Sequence, residues 1–151
     1  MANGAGLVFA CDLAVAAENA RFGTTAINVG LICLGPAVPL ARHVGRKKAL
    51  EMILTGDIIS ASEAQQLGLI NKVVPPDDLE AETIKFAAKI AKKSPLAVQI
   101  GKTGVYGMSE IPYHQAVDYM DELFASLCAT EDALEGINAF MDKREPVWKN
   151  R

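Results

Sequence analysis

The period of apolar and polar positions changes several times along the chain, and those changes mark out its elements. Residues 5 to 10 are small and apolar after a Gly-containing turn, which predicts a short buried helix. Residues 13 to 17, following Asp12, predict a buried strand. From Pro36 to Leu54 the pattern is helical in two segments, around 40 to 44 and over 46 to 54. They are separated at Gly45, and a turn at Thr55-Gly56-Asp57 ends the second. Ser60 followed three residues later by Glu63 is a capping-box pattern, and the helix it opens closes at Gly68. Residues 69 to 74 then alternate as a strand does, up to Pro75-Pro76.

Beyond residue 76 the period is helical almost throughout. Asp77 or Asp78 is expected to cap a helix with Leu79, Thr83, Phe86, Ala87 and Ile90 on one face and its lysines largely off it. Ser94-Pro95 restarts a helix, because proline at the first helical position gives up only a donor that would have been unpaired. Tyr113, Ala116, Val117, Met120, Phe124, Leu127 and Cys128 repeat at spacings of three and four, the strongest helical signal in the chain. Thr130 caps a last helix with acids in its first turn, Gly136, Ile137, Phe140 and Met141 on one side, and Pro146 as its stop. The expected organisation is an α/β part over residues 1–76 and a helical part over 77–151.

Composition narrows the function classes. The chain has 151 residues, half of them hydrophobic, with 15 basic and 18 acidic residues and a net charge of -3, so no global field favours nucleic acid. Charged residues interrupt every apolar stretch before the roughly 18 to 20 residues a membrane span needs, and because Met1 to Gly6 carry no basic region, neither a signal peptide nor an Arg-rich transit peptide is expected. A soluble protein is expected, with no membrane partner. Cys11, Cys33 and Cys128 are odd in number and without C-x-x-C spacing, so they are expected to be buried, unpaired thiols in a reducing cytoplasm or matrix. Mean hydropathy of +0.17 in so short a chain is compatible with an extra apolar face used for oligomerisation.

Few residues offer chemistry on their own. His43 has no ligand partner three or four positions on and His114 has only Asp118, short of a metal's ligand set, so no metal site is expected. No G-x-S-x-G motif is present. The opening Asn3-Gly4-Ala5-Gly6 places small residues at a turn into a helix, where backbone N–H groups can face an anion or a developing oxyanion, or simply permit close packing. Lys143-Arg144 near the last helix end reads either as a phosphate grip or as favourable charge at a helix C-terminus.

In combination the segments say more. Cys11-Asp12-Leu13-Ala14-Val15-Ala16, Ala20-Arg21-Phe22-Gly23 and the stretch from Leu54 to Ala64 resemble, in order and spacing, the enoyl-CoA hydratase/isomerase (crotonase) family. Gly68-Leu69-Ile70-Asn71-Lys72-Val73-Val74-Pro75 looks like that family's Gly-Leu-Val strand, and residues 135 to 146 look like its C-terminal helix. Ile27-Asn28-Val29-Gly30-Leu31, residues 46 to 52 and Arg144-Glu145-Pro146-Val147-Trp148 are similar to the enoyl-CoA hydratase domain-containing protein 3 group within it.

The resemblance implies the C-terminal half of a crotonase-like spiral fold, then a helical region for oligomerisation into a homotrimer or a dimer of trimers. It implies an acyl-CoA thioester ligand, with coenzyme A part of the substrate and no separate cofactor. An oxyanion donor falls at the backbone of Asn3 with Gly4 beside it, and Phe140 and Lys143 match positions that contact the adenine and phosphate of CoA. The two family glutamates that activate water and move a proton would fall at Gly6 and Ala26, neither of which transfers protons, so standard hydration is not expected. Three readings follow: an acyl-CoA binder without catalysis, a family lyase or isomerase of altered mechanism, and a non-catalytic oligomerisation half-domain.

Overall fold

The computed structural model describes residues 1–151. The chain falls into two compact units, Met1–Lys85 and Phe86–Arg151, with the division inside a helix.

In the first unit α1 (Asn3–Ala10) leads into β1 (Val15–Ala17) and β2 (Arg21–Gly23), and a 3-10 turn (Thr25–Val29) leads into α2 (Leu34–Thr55). Then come β3 (Ile58–Ser60), α3 (Ala61–Gln66), β4 (Lys72–Val74), a second 3-10 turn (Pro76–Asp78) and α4 (Leu79–Ala91). The strands form two separate pairs. β1 lies parallel to β4 with Val15 opposite Lys72, and β2 lies antiparallel to β3 with Arg21 opposite Ser60.

Phe9 of α1, Phe22 of β2, Leu40 and Met52 of α2, Ile59 of β3, Ala61 and Ala64 of α3, and Leu69 and Ile70 after it form one buried core. The Phe9 and Phe22 rings lie 6.1 Å apart at a tilt of 33°. Gly45 interrupts α2 at φ 75 and ψ 165, the break its sequence position predicts. Ser60 Oγ accepts the amide of Glu63, as the capping box requires, and Gly68 turns the chain at φ 75.

The second unit contains α5 (Pro95–Met108), α6 (Tyr113–Cys128) and α7 (Glu131–Met141). Ser94 caps α5 through the amide of Ala97, and Thr130 caps α7 through that of Ala133. Gly104 lets α5 approach α6: a Cβ there would lie 2.7 Å from Met120 Sδ and 3.0 Å from Leu123 Cδ1.

Several expectations are corrected. Cys11 and Cys128 are exposed, and only Cys33 is buried. Cys11 ends α1 at its surface, where its thiol donates to the Leu7 carbonyl. Neither Asp77 nor Asp78 caps a helix; both sit in the first turn of the 3-10 segment, where their charge suits the helix N-terminus. Both strands of the parallel pair are three residues long. Leu13 is 44% exposed, and Leu69 and Ile70 enter the core ahead of β4 instead of lying in it. The stripe on α6 is helical as expected, yet none of its residues is buried, with Tyr113 78% and Phe124 66% exposed.

Candidate functional site

The first unit holds a cleft of about 580 Å³ at the N-terminus of α1. Asn3, Gly4 and Ala26 line it together with Leu31, Cys33 and Leu34. Three anchors build it. The amide of Ala2 donates to the Gly23 carbonyl at 2.8 Å, tying the turn to β2. Thr24, fully buried, donates its hydroxyl to the Met52 carbonyl at 2.8 Å and so fixes the start of the 3-10 turn. Gly30, at φ 74, reverses the chain so that the amide of Leu31 reaches the Ala26 carbonyl.

Ala2 adopts φ 50 and ψ -123, outside the ordinary regions for a residue with a Cβ. The conformation starts α1 without a side-chain cap. Gly4 turns its amide back on the Met1 carbonyl at 3.2 Å, whereas the Asn3 amide donates to no group of the protein. Of the two expected donors, Asn3 is therefore the free one, at the positive end of the helix.

Gly6 stands apart from this cleft. Its missing Cβ faces Pro36, at 2.8 Å from Cγ and 3.2 Å from Cα, so the glycine is where α1 and α2 meet. Cys33 carries the only ionisable side chain in the cleft wall. The arrangement can hold and polarise a carbonyl oxygen through an N–H donor, but no carboxylate or imidazole in the wall can pass a proton. His43 binds the Phe9 carbonyl through Nε2 at 3.0 Å and serves the packing of α1.

In the second unit Phe140 is 82% exposed on α7, and Lys143 follows in the left-handed conformation at φ 54. Around them the chain end folds back on α7. Asp132, 2% exposed, accepts from the Ser94 hydroxyl at 2.7 Å and from the amides of Lys149 at 2.7 Å and Asn150 at 3.1 Å. Glu135 accepts two bonds from the Arg144 guanidinium, at 2.6 and 2.9 Å, and one from the amide of Val147 at 2.8 Å. Trp148 donates its indole N–H to the Lys92 carbonyl, and its ring covers Gly136 in a groove of about 450 Å³ that Ile137 and Phe140 also line.

Sequence reasoning gave Asp132 only a helix-dipole role and missed the tail entirely. No local signal was available, because the partners of Asp132 lie 17, 18 and 38 positions away.

The α7 carboxylates that hold the tail should make its attachment depend on acid. The Arg144 guanidinium, then the Val147 amide, hold the Glu135 carboxyl down from 4.5 to about 2. The Ser94 hydroxyl first, then the two tail amides, lower that of Asp132. A depressed folded pKa contributes stability that is complete above the unfolded value and is lost as the pH falls through the folded one. Emission from Trp148, the single tryptophan, should stay constant above pH 4.5 and shift to longer wavelength only as the pH is lowered toward about 2. A shift completed above pH 4.5 would show that these carboxylates do not hold the tail.

The model of the enoyl-CoA hydratase/isomerase family matches residues 1–151. The chain belongs to this family. It is 45% identical over 149 residues to the mouse mitochondrial enoyl-CoA hydratase domain-containing protein 3, covering 99% of this chain and 50% of that protein. It is 41% identical to the 2,3-dehydroadipyl-CoA hydratase of Escherichia coli, covering 98% of this chain and 58% of the relative. Among solved structures, the human enoyl-CoA hydratase domain-containing protein 3 superposes with a TM-score of 0.93 at 45% identity, over 97% of this chain and 58% of the other. A Mycobacterium smegmatis enoyl-CoA hydratase does so with 0.93 at 44% identity, over 97% and 57%. The fold is thus that of the enoyl-CoA hydratases, and the chain spans about half the length of the curated relatives it matches. The relatives it matches include proteins named as mitochondrial, and no helix of this chain is long and apolar enough to cross a membrane.

Proposed function

We propose that this enoyl-CoA hydratase/isomerase family chain contributes to an acyl-CoA thioester site that binds its ligand without standard hydration. The observation that carries this reading is the cleft at the start of α1, where the unpaired Asn3 amide, Gly4 and Ala26 share one wall. In the proposal the thioester oxygen accepts from the Asn3 amide, and the apolar side chains of Leu31 and Leu34 face the acyl part. The two family glutamates correspond to Gly6 and Ala26. The first is turned into the α1–α2 contact and the second carries only a methyl group, so water in the cleft has no carboxylate to activate it.

Phe140 and Lys143 contribute in the same proposal to the adenine and phosphates of CoA, on a copy of the chain within a trimer or a dimer of trimers. Their exposure supports this part: an exposed aromatic ring and a cation three positions apart can serve the base and the phosphates of a nucleotide. The exposed apolar residues of α6 supply a face for assembly. The proposed compartment is the cytoplasm or the mitochondrial matrix.

Gly4→Leu tests the cleft cleanly, because a Cβ at Gly4 meets nothing within 4 Å. The variant should keep or raise thermal stability, since leucine is the better helix former by about 0.5–1 kcal/mol, while calorimetric titration with crotonyl-CoA should lose at least about tenfold in affinity. Equal affinity in both proteins would remove the cleft from the site. Turnover of crotonyl-CoA, followed by ultraviolet absorbance, would replace the binder reading with an enzyme of altered mechanism.

A further inference from the structure

Helix α7 ends in a Schellman turn. The amide of Lys143 reaches the Phe140 carbonyl at 3.3 Å and that of Arg144 reaches the Ala139 carbonyl at 3.0 Å, the pair of bonds that defines the motif. Its left-handed position is normally glycine, because a Cβ there is unfavourable. Here it is Lys143, at φ 54. A residue that disfavours the turn occupies its critical position, so something else must hold the turn closed.

The fork between Glu135 and Arg144 spans it. Glu135 lies two turns before Lys143 on α7, and Arg144 directly follows it. Two short bonds join them, and the bond from the Val147 amide to Glu135 extends the hold beyond the turn. The neighbouring cations are engaged as well: Lys149 and Arg151 pair with Glu131. Lys143 alone among the basic residues of this chain end makes no ion pair or hydrogen bond through its side chain, and it follows the exposed Phe140 by three positions.

We propose that Glu135 and Arg144 are positioning residues that lock Lys143 into its left-handed turn, so that its free ammonium is presented to the phosphates of CoA. The proposal rests on the acyl-CoA reading above. Glu135 and Arg144 touch no ligand in it. They act by fixing a backbone conformation, and the left-handed strain at Lys143 is the cost of placing a cation where glycine would be the easier choice.

Calorimetric titration of the 151-residue chain with coenzyme A tests this in a double-mutant cycle of Glu135→Gln and Lys143→Gly. Glu135→Gln should weaken CoA about five- to tenfold in the presence of Lys143 and leave it unchanged in the Lys143→Gly background. Lys143→Gly should itself weaken CoA by a similar factor while raising the melting temperature, because glycine relaxes the turn. A merely structural role would move stability and affinity together and give the same loss in both backgrounds. Two outcomes overturn the inference alone: CoA bound by the unmodified chain with equal affinity in Glu135→Gln, or losses that simply add. Failure of the unmodified chain to bind CoA overturns the acyl-CoA reading and this inference with it.

Discussion

Gly6→Glu is expected to loosen the first unit and to confer no hydratase activity. The substitution restores the residue type that the family resemblance places there, but the Cβ it adds would sit 2.8 Å from Pro36 Cγ and 3.2 Å from its Cα. The proline ring cannot swing away as a longer side chain would, so α1 must shift from α2. Overpacking of this kind costs about 1–3 kcal/mol, and a carboxylate pressed into a partly buried apolar contact adds desolvation to it. Thermal unfolding followed by circular dichroism should show a clear fall in melting temperature, recovered at least in part by Pro36→Ala in the same chain. Ala26→Glu, in the cleft wall and only partly buried, should be tolerated better. A Gly6→Glu protein as stable as the original would mean that the α1–α2 contact is looser than the structure has it. The pairing of Gly6 with Pro36 thus ties the missing carboxylate to packing: one change without the other leaves the fold worse off.

Phe9→Ala should have the largest effect of any single truncation. Phe9 is 1% exposed and joins α1 to Phe22 of β2, so removing its ring empties the centre of the first core. Such replacements cost about 3–5 kcal/mol, a large share of the 5–15 kcal/mol that ordinarily holds a domain together. Urea unfolding should show the midpoint lowered with the slope unchanged, and a midpoint within error of the original would contradict the packing described. Because α1 carries Asn3 at its other end, crotonyl-CoA affinity should fall with stability in this variant, in contrast to Gly4→Leu.

Local chemistry was legible in the sequence wherever the governing residues are neighbours. The break at Gly45, the Ser60 and Glu63 cap, the Ser94-Pro95 restart and the Thr130 cap all follow from three- or four-residue patterns, and each is present in the structure. The family could be recognised because several such patterns occur in a fixed order. Asn3, Gly4 and Ala26 meet in one cleft, whereas Gly6 does not face it, and no spacing rule separates those outcomes. Periodicity gave α6 its helix but was silent on what covers its apolar stripe, since a period reports which residues share a face and nothing about the partner. The tail escaped for the same reason as the parallel strand pair: Trp148 meets Lys92 across 56 positions, a distance at which sequence pattern carries no register.

The pairing of β1 with β4 bears on how the first unit comes into being. Val15 finds its partner at Lys72, and the Asn71 side chain accepts the amide of Ala14 across 57 positions. Contacts this far apart in sequence must close a long loop before they repay its entropy. During synthesis, β1 therefore leaves the ribosome without its strand partner and stays so until residues 72 to 74 emerge. Throughout that interval the unpaired backbone edge of β1 is open to pairing with another chain.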